Sequence, residues 1–293
     1  MKKILIVGHS GFLGTNLVKG LISKYEIIGI SKQCKKSEIK EIKKDITKIT
    51  SNDFKDIFCI IHLAALTDPK FCEDFPDKCF SVNVVGTQKI LECAKKNGCK
   101  LIYASTSHVY GNPKKIPISE SANISINSIY SGSKLAGEIL CESYAKQYNM
   151  DITISRIFSV YGPNSKKYYV LSNLMTQLKK SNTVKLGNIN SKRDFIFISD
   201  VVDAFKIMLD NIDGLNIYNI GSGKSYSTLE ICKITEKLIN KKIIIKKDSS
   251  LTRKFDPKNI VSDISKLKKL GWKPKISLKK GLEKTLAGME KLD

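Results

Sequence analysis

The chain has 293 residues, of which 42% are hydrophobic, which is enough apolar material for one large domain or two joined ones. No run reaches the roughly 18 apolar residues of a membrane span, and no signal-peptide pattern is present, so we expect a cytoplasmic protein without a membrane partner. The net charge is +22, but only three of the 50 basic residues are arginine, and the lysines are spread along the chain. Without a nucleic-acid-binding motif, this charge predicts no nucleic-acid partner.

The eight cysteines contain no C-x-x-C pair. Several stand inside apolar runs, as Cys59 does within residues 57–61. We therefore expect reduced, mostly buried thiols, with neither disulfides nor a metal site.

The first half of the chain alternates short apolar runs with longer helical patterns. This alternation predicts an α/β fold with a doubly wound parallel sheet, covered by helices on both faces. The predicted strands are 3–8, 26–31, 57–63, 100–105 and 152–158, and the predicted helices are 12–23, 76–97 and 128–147. Together they indicate a Rossmann-type dinucleotide-binding domain over residues 1–160.

The second half of the chain contains shorter elements. The predicted helices are 166–180, 200–210, 227–239, 263–270 and 278–289, and the predicted strands are 194–198, 216–220 and 242–246. We expect a smaller α/β substrate-binding lobe over residues 161–293, with segments near 199–215 returning to the first domain.

Three glycines in the pattern Gly8-x-x-Gly11-x-x-Gly14 stand between the first predicted strand and the first predicted helix. In this context Gly8 permits a tight turn, Gly11 lets the backbone approach a pyrophosphate, and Gly14 lets the helix pack on the strand. The amide groups of the helix N-terminus would face the phosphates. The pattern predicts a dinucleotide site.

The end of the second strand bears on which dinucleotide binds. Proteins selective for NAD tend to carry an acidic residue there, whereas this strand ends at Ser31 and Lys32 follows. A serine would tolerate a 2′-phosphate and a lysine would attract it, so we expect NADP(H) in preference to NAD(H). Asp45 and Ile46 are further candidates for the adenine site, although Asp45 could equally be an exposed turn residue.

Tyr130 and Lys134 are four residues apart on a predicted helix, so both side chains project from one face. A free phenol titrates near ~10, which is too high for efficient proton exchange at neutral pH. A neighbouring ammonium favours the phenolate. About 3–4 kcal/mol of such stabilisation would bring the pKa of the phenol close to neutral pH. Behind a dinucleotide fingerprint, this pair predicts proton transfer beside a nicotinamide.

A hydroxyl-rich segment, residues 103–111, ends the fourth predicted strand, where parallel sheets place ligand-binding groups. Further motif segments are 62–65, 83–87, 156–163, 193–196, 219–223 and 270–274. With the glycines and the Tyr–Lys pair, they make the chain resemble the extended short-chain dehydrogenases/reductases of the nucleotide-sugar epimerase/dehydratase family. The resemblance extends over nearly the whole chain.

The resemblance implies that Thr106, Tyr130 and Lys134 form the catalytic set and that the substrate is a nucleotide sugar. It further implies a homodimer, formed through the helices near 76–97 and 128–147. The cofactor groove would also include Ser10, Phe12, Leu13, Leu63, Ala64 and Ala65. The substrate side would include Ser107, His108, Ser159, Arg193 and Arg253, with the last two arginines at the diphosphate or nucleotide.

Three positions depart from the family pattern. Dehydratases of the family carry Asp-Glu directly after the catalytic hydroxyl, where this chain has Ser107 and His108. Without these carboxylates a 4,6-dehydration has no evident acid and base. His108 is either a proton donor at neutral pH or a packed histidine. Ser159 replaces an asparagine that contacts the substrate in many members, so the identity of the sugar is left open.

These observations favour a reductase that transfers hydride from NADPH to the 4-keto group of a nucleotide-linked hexose, with Tyr130 supplying the proton. A nucleotide-sugar 4-epimerase, or a C4 dehydrogenase, with tightly bound NAD would use the same residues. A non-catalytic dinucleotide-binding regulator is the alternative from another class. The intact catalytic set argues against that last reading.

Overall fold

The computed structural model describes residues 1–34, 38–165, 169–251 and 256–290. Its strands, in chain order, are β1 (Lys3–Val7), β2 (Glu26–Ser31), β3 (Lys40–Lys43), β4 (Cys59–His62), β5 (Lys100–Thr106), β6 (Ile152–Ile157), β7 (Ser159–Tyr161), β8 (Thr183–Leu186), β9 (Lys192–Phe197), β10 (Leu215–Ile220), β11 (Ser225–Ser227) and β12 (Ile244–Lys247). Its helices are α1 (Phe12–Leu21), α2 (Pro69–Asp74), α3 (Pro76–Phe80), α4 (Gly86–Asn97), α5 (Ile129–Tyr148), α6 (Val170–Leu178), α7 (Ile198–Asp210), α8 (Thr228–Ile239), α9 (Ser265–Lys269) and α10 (Leu278–Glu290).

A parallel sheet of seven strands, in the order β10-β6-β5-β4-β1-β2-β3, organises the chain. Alternate residues of β1 pack against helices on opposite faces of this sheet. Ile4 and Ile6 join a core with α1 and α7, whereas Leu5 and Val7 join a core with α4 and α5. Because both faces are covered, the central strands β1 and β4 are largely apolar rather than alternating. The predicted α/β, Rossmann-type class is confirmed.

The second half of the chain adds two small sheets and their helices. Strand β9 lies between β7 and the antiparallel β11, and β8 pairs with β12. Leu174 of α6, Leu186 of β8 and Ile231 of α8 belong to one separate apolar core. Strand β10 instead pairs with β6 at the edge of the main sheet. The boundary between the two predicted domains stays a prediction.

Several predicted elements differ from the structure in extent. Strand β3 was not predicted, because it is a short edge strand in which Ile42 is the single apolar residue. The predicted helix 76–97 is instead α3, a π-helical turn over Ser81–Val85, and α4. Helix α2 was also missed, although Asp68 and Pro69 form an N-terminal cap signal. Residues 166–168 of the predicted helix 166–180 lie outside the described residues, and α6 begins at Val170.

A buried ion pair ties α5 to β6. The Arg156 guanidinium lies 2.7 Å from the Glu138 carboxylate, and the two side chains are only 5% and 1% exposed. Arg156 also donates to the Tyr110 hydroxyl at 3.0 Å and to the Glu120 carbonyl at 2.9 Å. The two desolvated charges therefore pair with each other, and the guanidinium also donates to two neutral oxygens.

Removing the cation should destabilise the protein strongly. We expect Arg156→Met to lower the free energy of unfolding by about 3–5 kcal/mol, because the Glu138 carboxylate is left buried without its partner. Urea denaturation measures the change. Lys146→Met is the control, since it breaks an exposed ion pair with Glu142 on the same helix and should have little effect. An equal loss of unfolding free energy in both variants would show that the buried ion pair contributes no more than the exposed one.

Candidate active site

A cavity of about 770 Å³ opens at the carboxyl edge of the main sheet. In sheets of this type, the carboxyl ends of the strands form the ligand crevice. The residues that line it include nearly all of the predicted site: Gly8, Ser10, Gly11, Phe12, Leu13, Gly14, Ser31, Lys32, Asp45, Ile46, Leu63, Ala64, Ala65, Thr106, Ser107, His108, Tyr130, Lys134, Ser159 and Arg193. Arg253 lies outside the described residues.

The turn between β1 and α1 has the shape that a pyrophosphate needs. Gly8 has a φ of +93°, and a Cβ atom there would lie 2.7 Å from the Ala64 backbone nitrogen. A Cβ atom on Gly14 would lie 2.4 Å from the Gly8 carbonyl oxygen. Gly11 caps α1 and has no side chain to occupy the first amides of the helix, which stay available to an anion. The residues present therefore fit a dinucleotide.

The end of β2 forms another part of the cavity wall. Ser31 is buried, with 7% of its surface exposed, and its hydroxyl lies 3.0 Å from the Nδ1 atom of His9. Lys32 is exposed at the rim, with its ammonium 3.5 Å from the Asp45 carboxylate. Asp45 caps the next turn by accepting from the Thr47 amide at 2.9 Å, and these bonds to Thr47 lower its pKa. The carboxylate at this end of the cavity is thus already engaged.

Helix α5 carries Tyr130 and Lys134 into the cavity wall. Ser128 starts the helix as its N-cap, accepting from the Ser131 amide at 3.2 Å. This start places Tyr130 in the first turn and Lys134 one turn later, so both side chains reach the same cavity. Tyr130 is 8% exposed and contacts the imidazole of His108 edge-on, with ring centroids 5.7 Å apart.

The ammonium of Lys134 lies over the face of the Tyr103 ring, 4.0 Å from its centroid. Burial lowers the pKa of Lys134 to about 8, although the nearby Cys141 and Glu138 oppose the change. Helix α5 can approach this ring because residue 137 is glycine: a Cβ atom there would lie 2.1 Å from the Tyr103 hydroxyl oxygen. The chain thus holds a desolvated cation one turn from a phenol.

Strand β5 delivers the hydroxyl cluster to the same edge. Thr106 ends the strand, and its Oγ1 atom accepts from the His108 amide at 3.3 Å. The accepting oxygen keeps its own hydrogen for a further bond. The short turn that follows, Ser107–Tyr110, places Ser107 and His108 in the cavity lining. The hydroxyl, the imidazole and the Tyr130 phenol therefore surround one part of the cavity.

The second half of the chain forms another side of the cavity. Arg193 lines it and donates to the Asp256 carboxylate and, at 2.7 Å, to the Pro257 carbonyl. The family resemblance pointed to Arg193, whereas sequence reasoning missed Asp256. It also missed Tyr169 and Asn188, which line the cavity from loops. These residues belong to no local motif, so only the folded chain brings them to the site.

Comparison with known proteins follows this geometry. A model of the NAD dependent epimerase/dehydratase family matches residues 4–221. The chain belongs to this family. Among relatives of the family, UDP-glucuronic acid decarboxylase 5 of Arabidopsis thaliana is 32% identical over 302 residues, which cover 96% of this chain and 87% of the relative.

Two solved structures of the family align with the whole fold. The UDP-glucuronic acid 4-epimerase from Bacillus cereus, in complex with UDP-glucuronic acid and NAD, is 30% identical, with a TM-score of 0.92 over 99% of this chain and 100% of that one. MoeE5, in complex with UDP-glucuronic acid and NAD, is 26% identical, with a TM-score of 0.93 over 99% and 100% of the two chains. The chain is thus an NAD(P)-dependent enzyme of the nucleotide-sugar epimerase/dehydratase type, and the predicted family is confirmed. Among the described residues, none of the helices is long and apolar enough to span a membrane.

The buried ammonium predicts a pH limit for turnover. Because burial lowers the pKa of Lys134 to about 8, its positive charge is present below that pH and is lost as the pH rises through it. We expect turnover to fall over the same range, since the neutral amine no longer favours a phenolate.

Lys134→Arg tests this prediction, because the guanidinium keeps its charge at these pH values. The decline in kcat should move to higher pH in this variant, even if its maximum is reduced. Lys146→Arg, an exposed position on the same helix, is the control. An unchanged alkaline limb in Lys134→Arg would refute the role of this ammonium.

Proposed function

We propose that this chain is an NAD-dependent 4-epimerase of a UDP-linked hexose or hexuronic acid. A bound NAD would supply the acceptor for the C4 hydride of the sugar, and its reduced form would supply the hydride that returns to the opposite face of the 4-keto intermediate. The chain's own residues bind the two nucleotides, exclude water and move the proton of the C4 hydroxyl. The UDP-linked substrate class rests on the similarity to the Bacillus cereus epimerase and to MoeE5.

Tyr130 is the proposed acid–base group. Its phenolate removes the proton from the C4 hydroxyl during oxidation, and the phenol returns it during reduction. Lys134 stabilises the phenolate by its charge, and the Thr106 hydroxyl orients the substrate oxygen. The glycine turn and the N-terminus of α1 hold the pyrophosphate. Leu63, Ala64 and Ala65, which follow β4, line the same cavity.

The observation that carries this proposal is the set of carboxylates in the cavity. Among the described residues that line it, the only acidic ones are Asp45 and Asp256. Asp45 caps the turn after β3, and Asp256 accepts from Arg193. Elimination at C5 needs a base beside Tyr130, where this chain has Ser107 and His108. Epimerisation needs only the hydroxyl, the phenol and the ammonium, so the side chains favour it over dehydration.

The charges near the adenosine end support NAD as the cofactor. A 2′-phosphate is held by cations that are free to bond it. Within the part of the chain that the structure describes, two lysines line this end of the cavity, and each has a carboxylate beside it. The Lys32 ammonium lies 3.5 Å from Asp45, and the Lys44 ammonium lies 2.7 Å from Asp53. Both relatives of known structure described above contain NAD.

A reductase that uses NADPH is the second candidate. It is favoured by the exposed Lys32, whose side chain is 82% accessible at the rim, and by the serine at the end of β2 in place of an acid. It would use Tyr130 as the proton donor to the oxygen of a 4-keto sugar. The preference for NADP(H) stays a prediction.

We also propose that the enzyme is a homodimer. Large apolar side chains stand exposed along the helices expected to pair. Phe80 is 40% exposed, Val85 45%, Ile139 55% and Tyr148 48%. Burying such a surface against a second copy would remove it from water.

Product analysis tests the reaction. The protein is incubated with UDP-glucose or UDP-glucuronic acid and a trace of NAD, and the sugars are separated and identified by NMR. We expect a 4-epimer of unchanged mass and no net change in NADH absorbance. Loss of carbon dioxide from UDP-glucuronic acid would identify a decarboxylase instead. Net oxidation of NADPH with a 4-keto sugar would identify the reductase, and either result would overturn the proposal.

Replacing the phenol tests the role of Tyr130. We expect Tyr130→Phe to lower kcat by about 10²–10⁴-fold, because the proton then has no acceptor at the reacting oxygen. NADH affinity should stay close to that of the unmodified enzyme, as measured by fluorescence titration. Tyr148→Phe removes an exposed phenol from the same helix and should leave both quantities unchanged. A Tyr130→Phe enzyme of normal rate would exclude the assigned role.

A further inference from the structure

Three side chains form a line of hydrogen bonds behind the end of β2. The Ser31 hydroxyl lies 3.0 Å from Nδ1 of His9, and Nε2 of His9 lies 2.8 Å from the Glu41 carboxylate. The imidazole is 3% exposed, and the Glu41 side chain is 16% exposed. Of the three residues, Ser31 lines the cavity, while His9 and Glu41 lie outside its lining.

The fold provides a dedicated space for the imidazole. A Cβ atom on Gly29 would lie 2.5 Å from Cγ of His9. Gly29 stands in the interior of β2, where a glycine weakens a strand and often marks a close approach. Its partner across the sheet is Glu41 of β3, so the register of these two strands brings the carboxylate to the ring.

When His9 is neutral, the chemistry of the three groups sets the direction of each bond. An ionised carboxylate can only accept, so Nε2 of His9 carries a hydrogen and donates it to Glu41. In a neutral imidazole the other nitrogen is then an acceptor, and the Ser31 hydroxyl donates to it. The Ser31 oxygen also accepts from the Ser10 amide at 3.3 Å. Its remaining lone pair is therefore all that Ser31 can present to a ligand in the cavity.

We propose that Glu41 and His9 are positioning residues that select NAD(H) by holding Ser31 as a hydrogen-bond acceptor. The 2′-hydroxyl of an adenosine ribose can donate to that acceptor. A 2′-phosphate has no hydrogen to donate at neutral pH and needs donors around it. NAD-selective proteins tend to carry a carboxylate at this strand end. Here the Ser31 hydroxyl, oriented by His9 and Glu41, takes the place of that acceptor. The inference rests on the proposed use of NAD.

Glu41→Gln is the deciding variant, because it keeps the shape of the side chain and removes its charge. A glutamine amide can donate to Nε2 of His9 as well as accept from it, so the ring hydrogen is no longer fixed on Nε2. When a 2′-phosphate binds, the ring hydrogen can move to Nδ1 and the Ser31 hydroxyl can donate into the cavity. We expect the ratio of the NADPH to the NADH dissociation constant to fall by about tenfold. Fluorescence titration of the full-length protein with each dinucleotide measures this ratio.

Glu38→Gln is the matched control. Glu38 is an exposed residue just before β3, and the substitution removes the same charge. It should leave the ratio unchanged, which separates the hydrogen-bond effect from a general loss of negative charge near the phosphate. An equal shift in Glu38→Gln and Glu41→Gln, or no shift in either, would overturn the proposal.

A second measurement needs no variant. The chain contains only three histidines, so ¹⁵N-histidine labelling resolves the tautomer of each ring by two-bond ¹H–¹⁵N correlation. We expect His9 to carry its hydrogen on Nε2, and the opposite tautomer would overturn the proposal. Both readouts use dinucleotide or protein alone, without sugar. A failure here therefore leaves the epimerase assay standing, and a negative epimerase assay leaves these results interpretable.

Discussion

The desolvated ammonium of Lys134 is the constraint around which the site is arranged. A charge taken out of water is costly unless its surroundings compensate for it. Here the compensation comes from the face of the Tyr103 ring and from the negative potential of Glu138, which lies one turn further along the same helix. The carboxylate of Glu138 is itself paired with Arg156. The ammonium proposed to assist proton transfer is thus supported by the same contacts that fasten α5 to the sheet.

The parallel sheet explains why these groups meet. Each strand of the first half ends at the same edge, so the glycine turn after β1, the serine of β2 and the hydroxyls after β5 open into one cavity. The central strands β1 and β4 are largely apolar, and the polar side chains that line the cavity stand where the strands end. The polar groups of the cavity therefore lie together at one edge of the sheet.

Local spacing made much of this site predictable from sequence. The glycine turn and the Tyr130–Lys134 pair are each contained within a few residues, so their geometry follows from one strand–helix turn and one helix turn. The bond between His9 and Glu41 was not predictable, because it joins residues 32 apart in sequence through the register of β3, an edge strand with a single apolar residue. The Arg193–Asp256 pair was missed for the same reason, since it joins strand β9 to a loop residue 63 positions away that shares no pattern with it. Arg253 stays a prediction.

Helix α5 packs closely against strand β5 at Gly137. The phenol oxygen of Tyr103 fills the volume that any larger residue at 137 would occupy, and that phenol also donates to the Lys134 carbonyl at 3.3 Å. Among homologues, these two positions should therefore covary: a Cβ atom at 137 would lie 2.1 Å from the hydroxyl oxygen and 2.6 Å from the ring carbon that carries it, so it requires a smaller side chain at 103. Such a paired exchange would also remove the hydrogen bond to the Lys134 carbonyl, so a substitution at Gly137 would alter the support of an ammonium that lines the cavity.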